Sequence, residues 1–210
     1  MSARVAIVDS GGANIASLVF ALERLGADAV LTADAAVIRD AERVILPGVG
    51  AAADAMTRLV RHGLEDVIPR LEQPVLGICL GMQLLARDSA EHDTTCLGVL
   101  PLSATRLEAS AHAPVPHMGW SRIRKRHDHP LLDGIDDGSW FYFVHSYALP
   151  AGEHSLADAT HAASAANGDV TPAAFCAIAA YRNFVAAQCH PERSASAGAR
   201  LLRNFLALPV

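Results

Sequence analysis

The sequence predicts an α/β fold. A mostly parallel, doubly wound sheet occupies the first half, and antiparallel strands are added in the second. Three observations carry this prediction. Short apolar runs alternate with stretches of helical period from Val5 to Ile78, the pattern of strands joined by crossover helices. From Leu97 to Gln188 the runs read as strands and hairpins, with few convincing helices. The chain has 210 residues, 51% of them apolar, enough to bury one sizeable core and too many for a disordered chain. Residues 1–210 are therefore expected to form a single domain.

Val5–Val8 is the first strand, ended by Asp9-Ser10-Gly11-Gly12. Ile15 to Leu25 reads as a helix, with Leu18, Leu22 and Leu25 on one face and Gly26 as the stop. Ala29–Leu31 is the second strand and Val44–Leu46 the third, closed by Pro47-Gly48. A helix is expected over Ala52 to His62, with a helical stretch continuing to Arg70. Val75–Ile78 is the fourth strand and leads into Cys79. In the second half, strands are expected at Ser103–Leu107, Trp120–Arg124, Trp140–Tyr147, Ser155–Ala159, Phe175–Tyr181 and Phe184–Gln188. Arg182-Asn183 is the tight turn between the last two, and a helix over Ala195 to Leu206 follows.

Composition narrows the function. A net charge of −5 gives no support for nucleic-acid binding. The one basic cluster, Arg122 to His127, reads as a solvated strand or loop. No apolar run is long enough to span a membrane. The N-terminus enters a strand at once, without a secretory h-region. The four cysteines, at 79, 96, 176 and 189, show neither a C-x-x-C pair nor zinc spacing, so free thiols in a cytoplasmic protein are expected, with no metal and no cofactor. His127-Asp128-His129 reads as a solvated loop, and His62 and His161 as surface residues. His145 ends an aromatic strand whose polar end borders either core or pocket.

The most informative stretch is Pro74 to Gln83. An apolar strand ends in Gly77-Ile78-Cys79-Leu80-Gly81, and an amphipathic stretch follows directly. That is the layout of a nucleophile elbow with Cys79 in the nucleophile's place. A cysteine after a strand is usually a packing residue, but packing does not need two flanking glycines. Near the C-terminus, Gln188-Cys189-His190-Pro191-Glu192 offers a base and a carboxylate two residues apart. On local grounds this could equally be a strand cap. As a functional unit, His190 would take the thiol proton and Glu192 would orient the imidazole. Pro47-Gly48-Val49-Gly50 follows the third strand, which should lie close to the fourth. Its amides, with that of Leu80, would then line an oxyanion hole.

The motifs G-x-C-x-G-x-Q at 77–83 and H-P-E at 190–192 resemble those of the class I glutamine amidotransferases. Pro47-Gly48-Val49-Gly50-Ala51, Pro116-His117-Met118-Gly119-Trp120 and Tyr142 to Tyr147 resemble the branch that forms the glutaminase subunits of imidazole glycerol phosphate synthases. The resemblance runs from Asp9 to about Ser194. It implies a three-layer αβα, flavodoxin-like domain. It also implies attack by Cys79 on the side-chain amide of glutamine, release of ammonia, and hydrolysis of a glutamyl thioester with help from His190 and Glu192. Gly50, Gln83, Glu91, Ser146 and Tyr147 match positions that hold glutamine, and Val49 lies in the oxyanion strand. The implied partner is a separate (β/α)8 cyclase subunit in a heterodimer, which uses the ammonia to make imidazole glycerol phosphate and aminoimidazole carboxamide ribotide in histidine biosynthesis.

The chain departs from that pattern at a few places. Ser10 stands where the resembling sequences have tyrosine, Ala52 where they have an aromatic residue, Ser121 where they have asparagine, and Cys189 where they have phenylalanine. Asn14, Ala52 and Ser121 are expected where partner docking or coupling is set. Cys189 is expected to point away from His190's face by strand alternation. Three competing readings are the same chemistry serving another synthase, a non-catalytic scaffold of the same fold, and a cysteine peptidase with an open cleft.

Overall fold

The structure is a computed structural model and describes residues 3–11, 15–110, 113–164 and 170–209. The first half runs β1 (Arg4–Val8), α1 (Ile15–Glu23), β2 (Asp28–Thr32), α2 (Ala35–Asp40), β3 (Arg43–Leu46), α3 (Ala52–Arg61), β4 (Val75–Ile78) and α4 (Leu80–Leu84). The second runs β5 (Ala86–Ser89), β6 (Thr94–Thr95), β7 (Leu100–Arg106), β8 (His117–Arg122), β9 (Arg124–Lys125), β10 (Trp140–His145), β11 (Tyr147–Ala148), β12 (Ser155–Ser164), β13 (Val170–Tyr181), β14 (Phe184–Ala187) and α5 (Ala195–Ala207).

An eight-stranded sheet forms the centre, in the order β2-β1-β3-β4-β14-β13-β12-β9. The first five strands pair in parallel and the last three antiparallel. Alternation along each strand feeds two cores. Val5 and Ile7 face a cluster with Leu22 and Phe205, whereas Ala6 and Val8 face one with Leu59 and Ile68. The C-terminal helix is tied to the sheet by Arg43. Its buried guanidinium donates to the carbonyls of Leu208 at 2.6 Å and Phe205 at 3.3 Å, which suits a cation at a helix C-terminus. A β10-β8 ribbon and a β11-β7-β5-β6 sheet complete the strands.

Several expectations shift. The helical stretch expected up to Arg70 is only a 3-10 turn over Ile68–Arg70. The strand expected over Trp120–Arg124 is two pieces, β8 and β9, split at buried Ile123. Trp140–Tyr147 likewise divides at Ser146. Helix α2 was not foreseen, nor were β5 and β6. His161 is not at the surface: it is buried, bonded to His117 and to the Glu108 carbonyl. The basic cluster is a solvated edge apart from Ile123, and Arg126 reaches Asp158 at 3.5 Å. In the 127–129 loop, His129 Nδ1 accepts from the Leu131 amide.

Candidate active site

The sheet order places the site. β1 lies between β2 and β3, so the strand order reverses there, and ligand crevices in such sheets open at the carboxyl ends of the strands. Because β1, β3, β4 and β14 run parallel, the loops at 9–11, 47–51, 79 and 188–192 all leave at that same edge. The expected adjacency of the third and fourth strands is observed, with Leu46 paired to Gly77.

Cys79 sits between β4 and α4 with φ 54° and ψ −109°. A non-glycine residue held there stores strain, as elbow nucleophiles do. The turn closes only because its neighbours lack side chains. A Cβ on Gly81 would run into the Leu46 carbonyl, and one on Gly77 would meet the Gly81 carbonyl oxygen at 2.9 Å. The Cys79 amide donates to the Ala187 carbonyl at 2.8 Å, tying the elbow to β14 and so to the histidine segment. Its Sγ lies 3.6 Å from the Val144 carbonyl and 3.8 Å from Gln188 Nε2.

His190 and Glu192 form a buried pair, with Nδ1 2.9 Å from Glu192 Oε1. Nε2 is therefore the ring nitrogen left to exchange a proton with Cys79. Burial alone pushes the imidazole down, but contact with Cys79 and with the Glu192 carboxylate outweighs it and raises His190 to about 10. Ser194, unforeseen from the sequence, fixes the segment. Its buried hydroxyl donates to the His190 carbonyl at 2.7 Å and accepts from the Tyr142 amide at 2.9 Å. Tyr142 returns the grip, its carbonyl accepting from the His190 amide at 2.9 Å. The available signal was a serine just before a helix, a position that favours side-chain to backbone bonds.

A cleft of about 320 Å³ joins these groups. Cys79, His190, Val49, Gly50, Leu80, Gln83, Glu91, Ser146 and Tyr147 all line it, along with His145. Every residue expected from the sequence at the nucleophile, oxyanion and glutamine positions thus borders one space, except Glu192, which stands behind His190. Gln83 Nε2 donates to the Tyr147 carbonyl at 2.8 Å and to Gln188 Oε1 at 3.1 Å. Glu91 Oε2 accepts from the Ala52 amide at 2.7 Å. Leu80 begins α4, so its N–H is among those a helix leaves free. A second space of about 20 Å³, enough for one water, lies behind His190 and Glu192, walled by Gly11, Ile15, Leu18 and Val49.

The other thiols are set for packing. Burial pushes Cys96 up to about 11, Cys176 up to about 12 and Cys189 well above the usual thiol range. Among the described residues, no cluster of three or more histidines, cysteines or carboxylates could hold a metal ion.

Of Asn14, Ala52 and Ser121, expected where partner docking or coupling is set, the structure describes two. Ala52 is fully buried at the start of α3, so its side chain meets no partner. Ser121 faces inward, its hydroxyl 3.0 Å from His117 Nε2. Asn14 lies outside the described residues.

The family model described as "Glutamine amidotransferase class-I" matches residues 6–208. The protein described as imidazole glycerol phosphate synthase subunit HisH of Xylella fastidiosa (strain Temecula1 / ATCC 700964) is 46% identical, over 96% of this chain and 96% of its own length. The protein of the same description from Vibrio cholerae is 41% identical over 99% of this chain and 100% of its own. Among solved structures, one described as a glutamine amidotransferase superposes with a TM-score of 0.71 at 20% identity, covering 97% of this chain and 97% of that one, which speaks to the fold. The chain belongs to the class I glutamine amidotransferase family, among its imidazole glycerol phosphate synthase HisH subunits.

Proposed function

We infer that this chain is the glutaminase subunit of imidazole glycerol phosphate synthase. It hydrolyses L-glutamine to glutamate and ammonia for histidine biosynthesis. The observation that carries the site assignment is the cleft, which unites Cys79 and His190 with Gln83, Glu91, Ser146 and Tyr147.

The chemistry follows from the placement. Cys79 gives its proton to His190 and its sulfur attacks the side-chain amide carbon of glutamine. The negative charge that develops on the amide oxygen is met by backbone N–H groups of Leu80 and of the Val49–Gly50 segment. His190, kept basic by Glu192, protonates the departing nitrogen, and ammonia leaves. Water then attacks the glutamyl thioester, with His190 taking its proton, and glutamate and free thiol are released. The carboxylate of Glu91 and the carbonyl of Tyr147 suit the α-ammonium end of the substrate. No cofactor enters any of these steps.

The partner reading rests on the β8–β10 ribbon. Met118, Trp120 and Trp140 are 64%, 49% and 49% exposed, an unusual load of large apolar groups for a solvated surface. Met118 pairs with Val144 and Trp120 with Tyr142 in the ribbon's register. Val144 offers its carbonyl to Cys79 and Tyr142 its carbonyl to His190. The exposed face is thus continuous with the reacting groups. A (β/α)8 cyclase subunit seated there would receive ammonia without exposing it to bulk water, which would protonate it. No helix among the described residues is long and apolar enough to cross a membrane, and we place the heterodimer in the cytoplasm.

The test is glutamate release from glutamine by the purified chain, alone and with the nucleotide-bound cyclase subunit. Strong stimulation by the liganded partner is expected, and Cys79→Ala should abolish it while leaving synthesis from added ammonia intact. Absence of glutamate release from a complex shown to form would refute the assignment and favour a scaffold.

A further inference from the structure

The segment Pro47–Ala51 runs from β3 to α3 across the mouth of the elbow and is pinned at both ends. Upstream, the Ser10 hydroxyl donates to the Pro47 carbonyl at 2.7 Å, and Ser10 is only 3% exposed. Downstream, the Ala52 amide is held by Glu91 at 2.7 Å. Between the pins, Gly48 lies tight against the elbow: a Cβ there would meet Leu80 Cβ at 2.9 Å and the Gly81 nitrogen at 3.2 Å. Gly50, with φ +94°, has open space around it, and Val49 is exposed. Val49 and Gly50 are therefore the residues between the pins with room to rotate.

The upstream pin has a directional consequence. A trans peptide is planar, so holding the Pro47 carbonyl toward Ser10 turns the Gly48 N–H the opposite way and fixes the plane from which the loop continues. Ser10 is itself held on a rigid turn. Its amide donates to the Val8 carbonyl at 2.9 Å, and the Gly11 amide, at φ +79°, donates to Asp9 Oδ1 at 3.1 Å. The hydroxyl thus links the loops that follow β1 and β3, on either side of the point where strand order reverses. Ser10 does not line the glutamine cleft.

We propose that Ser10 is a positioning residue for glutamine hydrolysis, holding through the Pro47 carbonyl the loop whose Val49 and Gly50 amides receive the oxyanion. This rests on the glutaminase reading above. Removing the hydroxyl frees the pivot, so amides that must meet a developing charge lose their register, while Gln83, Glu91, Ser146 and Tyr147, which lie outside this loop, stay in place.

The experiment compares the unsubstituted chain, Ser10→Ala and Ser10→Cys, each in complex with the nucleotide-bound cyclase subunit. Ser10→Ala should lower kcat for glutamine by roughly 10- to 100-fold, short of or equal to the loss of a whole oxyanion donor, with KM within about 2-fold. Alkylation of Cys79 by iodoacetamide, followed on its peptide, is a displacement at saturated carbon and forms no oxyanion. Its rate should stay within about 2-fold of the unsubstituted chain. Ser10→Cys replaces the hydroxyl by a slightly larger thiol that donates only weakly. It should show the same split in smaller degree, and it carries the test should the alanine variant not fold. An unchanged kcat overturns the proposal, and so does a parallel fall in kcat and alkylation, which would report general damage to the elbow. Absence of glutamine hydrolysis in the unsubstituted complex would instead sink the glutaminase reading, and the proposal with it.

Discussion

Substituting Ser194→Ala should damage stability and catalysis together, through bonds the structure identifies. The hydroxyl donates to the His190 carbonyl and accepts from the Tyr142 amide, and Ser194 is 1% exposed, so water cannot replace it. The two partners do not suffer equally. The His190 carbonyl keeps a second donor, the Arg193 amide at 3.0 Å, whereas the Tyr142 N–H loses its acceptor inside the protein. An orphaned buried amide costs about 1–3 kcal/mol. At about 2–4 °C per kcal/mol for a chain of this size, the melting temperature should fall by about 4–8 °C for a central loss near 2 kcal/mol. The catalytic effect follows because Tyr142 and Ser194 grip the backbone of His190 from both sides. A shift of roughly 1 Å in the imidazole should lower kcat by about 10- to 100-fold, with less change in KM. Differential scanning fluorimetry and the partner-stimulated glutaminase assay read the two effects. A melting temperature within about 1 °C of the parent, together with unchanged kcat, would refute the clasp.

Other consequences are equally open to measurement. Gly81→Ala drives a methyl group into the Leu46 carbonyl, a backbone group that cannot rotate aside, and should cost about 3 kcal/mol or more by urea denaturation. A parent-like midpoint would show that the elbow has slack. Burial, with His117 adding to it, pushes His145 down to about 3, so the folded imidazole stays neutral while the unfolded one protonates near 6.5. Stability is therefore lost as pH falls below 6.5, by about 2 kcal/mol from this group at pH 5. His145→Gln should flatten that acid slope, and an unchanged slope would exonerate the residue. His190 carries the opposite sign. Its pKa is raised to about 10, so its contribution is fully present below pH 6.5 and fades as pH rises through about 10. The melting-temperature advantage of the parent over His190→Asn should shrink across that range, and a constant difference would argue against the raised value.

How much of this was legible in the sequence depends on the range of the interactions involved. The elbow was legible because its demands are local: a strained residue needs small neighbours, and Gly77 and Gly81 are written beside Cys79. Strands β1, β3 and β4 were legible because they are buried on both faces and read as continuous apolar runs, whereas the edge strand β2 is largely exposed. Helix α2 was hidden by its brevity, although the Asp34 side chain that accepts from the Ala36 amide at 2.7 Å is a capping signal. Strand β5, Ala-Arg-Asp-Ser, has no β-branched residue and is a strand because β7 and β6 pair with it. His161 read as a surface residue because its partners, the Glu108 carbonyl and His117, lie 53 and 44 residues away. Separations of 52 and 37 residues likewise concealed the bond of Ser194 to Tyr142 and that of Ser10 to Pro47.

The pairing of β4 with β14 carries a consequence for when the proposed site can assemble. Its strand is complete within the first 80 residues, but the strand beside it, and the imidazole just beyond, arrive more than 100 residues later. While the chain emerges from the ribosome, Cys79 has no base, no carboxylate behind that base, and no Ala187 carbonyl to hold its amide. The elbow's strain also lacks the packing that sustains it. On the proposed reading, Cys79 meets its base only when the last strand takes its place beside β4. A contact of such long range would keep the proposed nucleophile apart from its base until the protein around it is whole.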